Sequence, residues 1–137
     1  MPKHEQGGCQ CGFTRYRVTS PPIEIAACHC SECQRQSGSA FGMSFIVPAA
    51  TFELTAGELQ SFLVTCDSGR IKTCSFCPRC GCRICHQTGN EISIKAGTFD
   101  NAVDLQPTAH YWTGSKQTWV IIPAGISRWI DDGPSPS

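Results

Sequence analysis

Eleven cysteines in 137 residues, most of them gathered into short clusters, constrain this chain more than any other feature. Cys9 and Cys11 form a C-x-C in GGCQCG, and Cys28, Cys30 and Cys33 a C-H-C-x-x-C in CHCSEC. Cys77 and Cys80 form a C-x-x-C in CPRCG, with Cys82 and Cys85 directly behind in CRIC, while Cys66 and Cys74 stand alone. An odd count rules out complete intramolecular disulfide pairing. The opening MPKHEQGGCQCG has no apolar core of a secretory signal, so a reducing, cytoplasmic setting is expected, where stable disulfides are rare. Metal ligation or thiol chemistry is therefore the expected use of the clusters.

A C-x-x-C followed by glycine is a metal knuckle. Its tight turn brings two thiolates to about 2.3 Å from one Zn²⁺, and the glycine supplies the positive φ that closes the turn. Two thiolates are half of a closed structural site. Cys9 and Cys11, a second pair beside glycines, are the best complement to Cys77 and Cys80, giving a Cys₄ zinc site between the N-terminal segment and mid-chain. The plain alternative, that these are small buried hydrophobes, fits dense clusters poorly.

Cys28, Cys30 and Cys33 differ in kind. Three thiolates from one loop and the first turn of a short helix leave a fourth position, which water or substrate fills in a catalytic zinc site. A fourth residue would instead make the site structural, and Cys66, Cys74, Cys82, Cys85 and His29 are available. His29, between two candidate ligands, suits a proton shuttle or a hydrogen-bond partner of the ligands better than direct ligation.

The remaining pattern is mostly strand. Phe13 to Val18 alternates, with Thr14, Tyr16 and Val18 on one side. Further strands are expected over Ile23–Cys28, Phe41–Val47, Thr51–Thr55, Leu59–Thr65, Arg70–Phe76, Ile84–Gln87, Glu91–Lys95 and Thr118–Ile122, with turns between them. Ser31–Ser37 reads as a short helix with Ser31 as N-cap and Gly38 as its stop, aiming backbone N–H groups at the cysteine cluster. Gly97–Thr108 reads as loop. The length suits one domain with a core over residues 7–123, and DDGPSPS over 131–137 reads as a flexible tail. The expected class is all-β: a single zinc-binding domain of short antiparallel strands with cysteine knuckles. The longest apolar stretch, Ala40 to Phe52, is broken by Gly42, Ser44, Pro48 and Thr51, so no membrane span is expected. Eleven basic against eleven acidic side chains gives no global field for nucleic acid.

GGCQCGFTRYRV, CHCSECQRQSGSAFGMSF, FELTAGELQSF, the TCDSGRIKTCSFCPRCGCRI run and HYWTGSKQTW together, in this order from Gly7 to Pro123, resemble the glutathione-dependent formaldehyde-activating enzyme and centromere protein V family. The resemblance implies an all-β fold, shared with a Rab-binding chaperone. It implies a structural zinc on Cys9, Cys11, Cys77 and Cys80 and a catalytic zinc on Cys28, Cys30 and Cys33. It also implies a carbon–sulfur lyase whose reverse reaction adds glutathione to formaldehyde, giving S-(hydroxymethyl)glutathione. The chain departs from the family pattern at Cys82 and Cys85, either of which would close the second zinc site if it reached it.

These expectations assign Cys30 and His29 to catalysis, with His29 the nearest proton donor. Glutathione carries two carboxylates, and Arg35, Arg70 and Arg83, in or beside the metal motifs, are the candidate partners, with Lys116 as a further possibility. Phe41, Trp112 and Trp119 are candidates for a pocket wall. The expected partner is a small-molecule thiol; a homodimer is compatible with the sequence. The competing reading is a non-catalytic zinc module for protein or, less readily, nucleic-acid binding, the latter through a local face of Arg15, Arg17, Arg35, Arg70, Arg79 and Arg83. A third, thiol redox sensing by Cys82 and Cys85, lacks the βαβ setting of thioredoxin-like chemistry.

Overall fold

Period-two alternation builds most of the molecule. The computed structural model describes residues 5–66 and 69–133. Its strands are β1 (Glu5–Gly8), β2 (Arg15–Val18), β3 (Glu24–Cys28), β4 (Gly42–Pro48), β5 (Phe52–Ala56), β6 (Gln60–Thr65), β7 (Ile71–Phe76), β8 (Arg83–Thr88), β9 (Glu91–Lys95), β10 (Ala109–Tyr111) and β11 (Ser127–Arg128), with one α-helix, α1 (Ser31–Ser37). They form a three-stranded sheet, β1-β2-β5, and an eight-stranded sheet ordered β11-β10-β3-β4-β9-β8-β7-β6. No helix among the described residues is long and apolar enough to cross a membrane.

Directly opposed residues of antiparallel strands share a face, so register decides what each face presents. One row runs Cys85, Ile94, Phe45, Ile25 across β8, β9, β4 and β3, and all four are buried. The small sheet adds Tyr16 and Val18 to the same core, and Phe99 packs edge-on to Tyr16. The next row, His86, Ser93, Ile46, Glu24, points to the opposite face, as does the row Lys95, Ser44, Ala26. That second face is the floor of a cleft. β3, β4 and β9 thus carry apolar side chains inward and a largely polar set outward.

The all-β reading holds, as do the expected strands from Phe13 through Lys95, within two residues at their ends. Most strand pairs are antiparallel, as expected. β10 runs parallel to both β3 and β11. The connection over residues 96–108 is long enough to return the chain in the direction of β3, which a tight turn cannot do. The expected strand Thr118–Ile122 is not formed. Its alternation is real, since Val120 and Ile122 are buried while Trp119 and Ile121 are exposed, but no strand among the described residues pairs with it. Side chains hold its carbonyls instead: Lys116 Nζ donates to Val120 O at 2.7 Å and Arg128 Nη2 to Ile122 O at 3.3 Å.

Three strands escaped the periodicity. β1 reads EQGG and has low strand propensity. It forms because Gly7 makes room: a Cβ there would lie 2.4 Å from the Tyr16 hydroxyl. β10 and β11 have three and two residues, below the length at which alternation is detectable. Structure also extends past the expected 7–123 core, because Thr113 N–H and Trp112 N–H donate to Trp129 O and Asp131 O. The expected tail lies outside the described residues over 134–137.

Candidate functional site

The first cysteine cluster forms where two loops meet. Cys9 and Cys11 follow β1, and Cys77 and Cys80 follow β7 in a turn whose Gly81 has φ 77°. The four sulfur atoms lie within 4.8 Å of one another. Cys9 Sγ is 3.6 Å from Cys11 Sγ, which is 3.9 Å from Cys77 Sγ. Tetrahedral Zn–S bonds of about 2.3 Å place the sulfurs about 3.8 Å apart, so the spacing fits zinc. Backbone N–H groups already point at the sulfurs: Thr14 N–H to Cys9 Sγ at 3.2 Å and Arg79 N–H to Cys77 Sγ at 3.4 Å. Burial opposes ionisation of Cys9, but the Thr14 N–H and the neighbouring thiols prevail and bring it down to about 6. Cys77 is lowered as well. The Phe13 N–H lowers Cys11, but burial and the neighbouring thiols prevail and push it up to about 11, so Cys9 and Cys77 are the members that favour thiolate, the ligating form.

The second cluster sits at the junction of β3 and α1. Cys28 ends β3, Cys30 is the N-cap of α1 and Cys33 lies in its first turn. The expected N-cap, Ser31, is already helical. The Cys30 thiol takes that place and accepts the Cys33 N–H at 3.3 Å. Gly38 ends the helix in the left-handed region, as expected. The three sulfurs lie within 4.8 Å of one another, and among the described residues no fourth cysteine, histidine or carboxylate joins them. A hydrogen bond from Cys28 brings Cys33 down to about 6, with Lys95 and Lys72 adding positive charge, while Cys28, as the donor, is pushed well up. Such a trio suits a soft or borderline cation such as zinc.

Cys82 and Cys85 do not reach this cluster. Cys85 lies in the core row with Ile94 and Phe45, and burial pushes its thiol up to about 12. Cys82 is half-buried near the first cluster, where burial and the charges of Cys80, Cys9 and Cys77 raise its pKa. Cys74 is buried on β7. Cys66 lines the rim of the cleft.

That cleft, about 320 Å³, begins at Cys28 and Cys33 and runs over the outer face of the large sheet. Tyr111, Trp112 and Asp132 line it on the side of β10. Trp112 is the one non-glycine described residue with positive φ, at 57°, and its indole N–H donates to Asp132. The Tyr111 hydroxyl donates to Glu24. Arg70, Lys72, His86 and Lys95 also line it.

The candidate residues separate in space. Arg70 lines the cleft, and Arg83 lies beside it, donating from Nη2 to Gln36 Oε1 at 3.1 Å. Arg35 is exposed and lines a shallow depression with Ser31, Gln34 and Gln117. Trp119 is 70% exposed. His29 is fully buried and is not among the cleft-lining residues. Tyr111 faces the cleft, so its neighbour His110 faces the other way, and His29 Nε2 meets His110 Nδ1 at 2.9 Å on that reverse side. Phe41 packs on the His29 ring at 5.0 Å. Burial, with His110 and Lys116, brings His29 down to about 4, so it is neutral, and its Nδ1 has no hydrogen-bond partner among the described residues. Gln36, Lys72, Lys95 and His110 escaped the sequence reading. Gln36, three residues after Cys33 on the helix, was the one with a detectable signal.

Fold and site together define an all-β protein with two thiol clusters able to hold metal, one closed and one beside a polar cleft. The sequence model of the family described as glutathione-dependent formaldehyde-activating enzyme matches residues 4–115, and the chain belongs to that family. A crystal structure of a Rhodobacter sphaeroides protein has the same fold, at a TM-score of 0.58 and 16% identity over 90% of this chain and 98% of that one. No curated protein sequence matches the chain significantly.

Proposed function

We propose that the protein is a zinc-dependent carbon–sulfur lyase-type enzyme that adds glutathione, or a similar thiol, to formaldehyde or a related small electrophile. The observation that carries this reading is the trio Cys28, Cys30 and Cys33 at the mouth of a polar cleft, with no fourth ligand among the described residues. Family membership supports the substrate pair. Cys9, Cys11, Cys77 and Cys80 would hold a structural zinc. Zinc on Cys28, Cys30 and Cys33 would keep a substrate thiol ionised near neutral pH and polarise a carbonyl oxygen.

The chain's own residues supply the rest. The thiol's sulfur lies toward Cys28 and Cys33, and its backbone extends along the cleft past Tyr111 and Trp112. The thiol gives its proton to water, sulfur attacks the formaldehyde carbon, the C=O π pair moves to oxygen, and the alkoxide takes a proton back from water in the open cleft, giving S-(hydroxymethyl)glutathione. Cys30 acts as ligand and helix cap. His29, expected to be the nearest proton donor, is buried with His110 and lies off the cleft lining, and so acts as a positioning group behind the ligand loop. Arg70 and Arg83 remain candidate carboxylate partners; Arg35, outside the cleft, serves only a ligand long enough to pass over α1.

The test is magnetisation transfer by ¹³C NMR between hydrated formaldehyde and S-(hydroxymethyl)glutathione. The zinc-loaded parent is expected to accelerate this exchange and Cys30→Ser to lose the acceleration while staying folded. Equal exchange with and without the parent would sink the reading.

A further inference from the structure

β6 closes one end of the large sheet, so one side of its backbone pairs with no strand among the described residues. Outer strands are ordinarily kept from pairing further by a charge, a proline or a bulge. Of the four outer strands among the described residues, β1 carries Glu5, β5 carries Glu53 and β11 carries Arg128. β6 reads QSFLVT and has no such guard. It is also the longest of the four, and its register with β7 runs unbroken from Gln60 to Thr65. All six of its residues are exposed, Leu63 by 68% and Phe62 by 43%.

Register shows that both faces of this edge are apolar. Phe62 stands in a row with Cys74 and His86, and Val64 with Lys72, so these two point to the side of the cleft. Leu63, opposite Thr73, points to the other side, where the exposed Ile71, opposite Thr65, extends the apolar surface. An edge of this kind, with an open row of N–H and C=O groups, is a template for another strand. The charges around it say which strand fits. Glu58 precedes β6, whereas at its far end Arg70 and Lys72 against Asp67 leave one net positive charge. Two copies of β6 running antiparallel set each acidic end beside the other's basic end, and the uncharged spans between them meet without repulsion. A parallel approach would set like against like.

We propose that β6 pairs antiparallel with β6 of a second copy of this chain, joining two large sheets edge to edge about a two-fold axis. Directly opposed residues share a face, so an axis at Leu63 sets Leu63 against Leu63, Phe62 against Val64 and Ser61 against Thr65. Each apolar side chain of the strand then meets an apolar one on its own face, and an aromatic against a β-branched residue is a favourable cross-strand pair. The Phe62–Val64 pairs lie on the cleft side, where Cys66 and Lys72 already line the cleft, so the second copy borders it. A contact built on one six-residue strand is small, which places the dimer in the reversible range, with a Kd on the order of micromolar. The pairing is independent of the reaction assigned to the thiol trio.

The test is sedimentation of the zinc-loaded full chain at about 100 µM, well above a micromolar Kd. The parent is expected to sediment as a dimer and to dissociate on dilution. Leu63→Lys sets two ammonium groups against each other at the axis and is expected to weaken the dimer about tenfold or more, while keeping the zinc content and near-ultraviolet circular dichroism of the parent. Ile121→Lys, at an exposed apolar position elsewhere, is expected to leave the dimer unchanged. Two further variants read the register. S61K/T65E sets opposite charges across both opposed pairs and should dimerise, whereas S61K/T65K sets like charges there and should associate about tenfold more weakly or less still. Both lose the Ser61–Ser75 hydroxyl contact, so a folding defect would affect them alike. A monomeric parent, its edge then open to an extended peptide of another protein, overturns the pairing. So does a Leu63→Lys dimer as tight as the parent's, or equal association of the two charge variants.

Discussion

At the scale of single residues, burial decides the protonation of the groups around the cleft. His86 lines it, and burial with Lys72, Lys95 and Arg83 brings its pKa down to about 3. A histidine depressed on folding binds more protons when unfolded, so its contribution is complete above the unfolded value, about 6.5, and is lost as pH falls toward 3. Urea unfolding at fixed zinc between pH 7 and 4 should show stability falling more steeply in the parent than in His86→Gln. Parallel slopes would contradict the depressed value. His29 follows the same rule toward about 4, through burial and the charges of His110 and Lys116. The alternation that placed Thr14, Tyr16 and Val18 inside was legible along the chain, because a strand's faces follow from parity alone. The burial of His29 was not, because nothing local distinguishes a histidine aimed at solvent from one stacked on His110.

At the scale of elements, turns and caps hold the ligand loops. Gly57 and Gly38 both have positive φ, yet their surroundings differ. A Cβ at Gly57 would lie 2.2 Å from Phe13 O, whereas at Gly38 it would meet nothing within 4 Å. Gly57→Ala should therefore destabilise by about 3 kcal/mol, combining clash with backbone strain, while Gly38→Ala should cost about 1 kcal/mol from the left-handed conformation alone. Equal shifts in the unfolding midpoints would refute this ranking. α1 shows how far an element can be read from sequence. Its span and its stop at Gly38 were both legible, but its cap was not, since serine is the ordinary choice and the Cys30 thiol takes the role only because the ligand loop presents it there. The unpaired Thr118–Ile122 segment teaches the converse. Its side chains alternate correctly, and still no strand among the described residues pairs with it.

For the whole molecule, the two thiol clusters should respond differently to metal loss. Cys9 and Cys11 join the small sheet to the β7–β8 turn of the large one, so a metal there links segments far apart in sequence. Binding free energy at such a site is folding free energy. Cys77→Ser should leave the chain largely unfolded at 25 °C, since a small domain has only about 5–15 kcal/mol in reserve. Cys30→Ser, at a cluster confined to one loop and helix, should retain the near-ultraviolet circular dichroism of the parent and lose one zinc per chain by mass spectrometry under native conditions. Equal unfolding by both variants would remove the distinction between a fold-holding and a working metal. The cysteine spacing by itself determined that thiols would group as two knuckles and a trio, since turns of fixed length bring such neighbours together whatever the rest of the chain does. Only the tertiary structure decided that Cys85 belongs to the core and Cys82 to the neighbourhood of the first cluster, leaving the trio without a fourth ligand among the described residues. It also decided that Lys72 and Lys95 converge on one cleft. Both outcomes depend on strand register across the large sheet, and register is set by which distant strands pair, a choice that no local spacing contains.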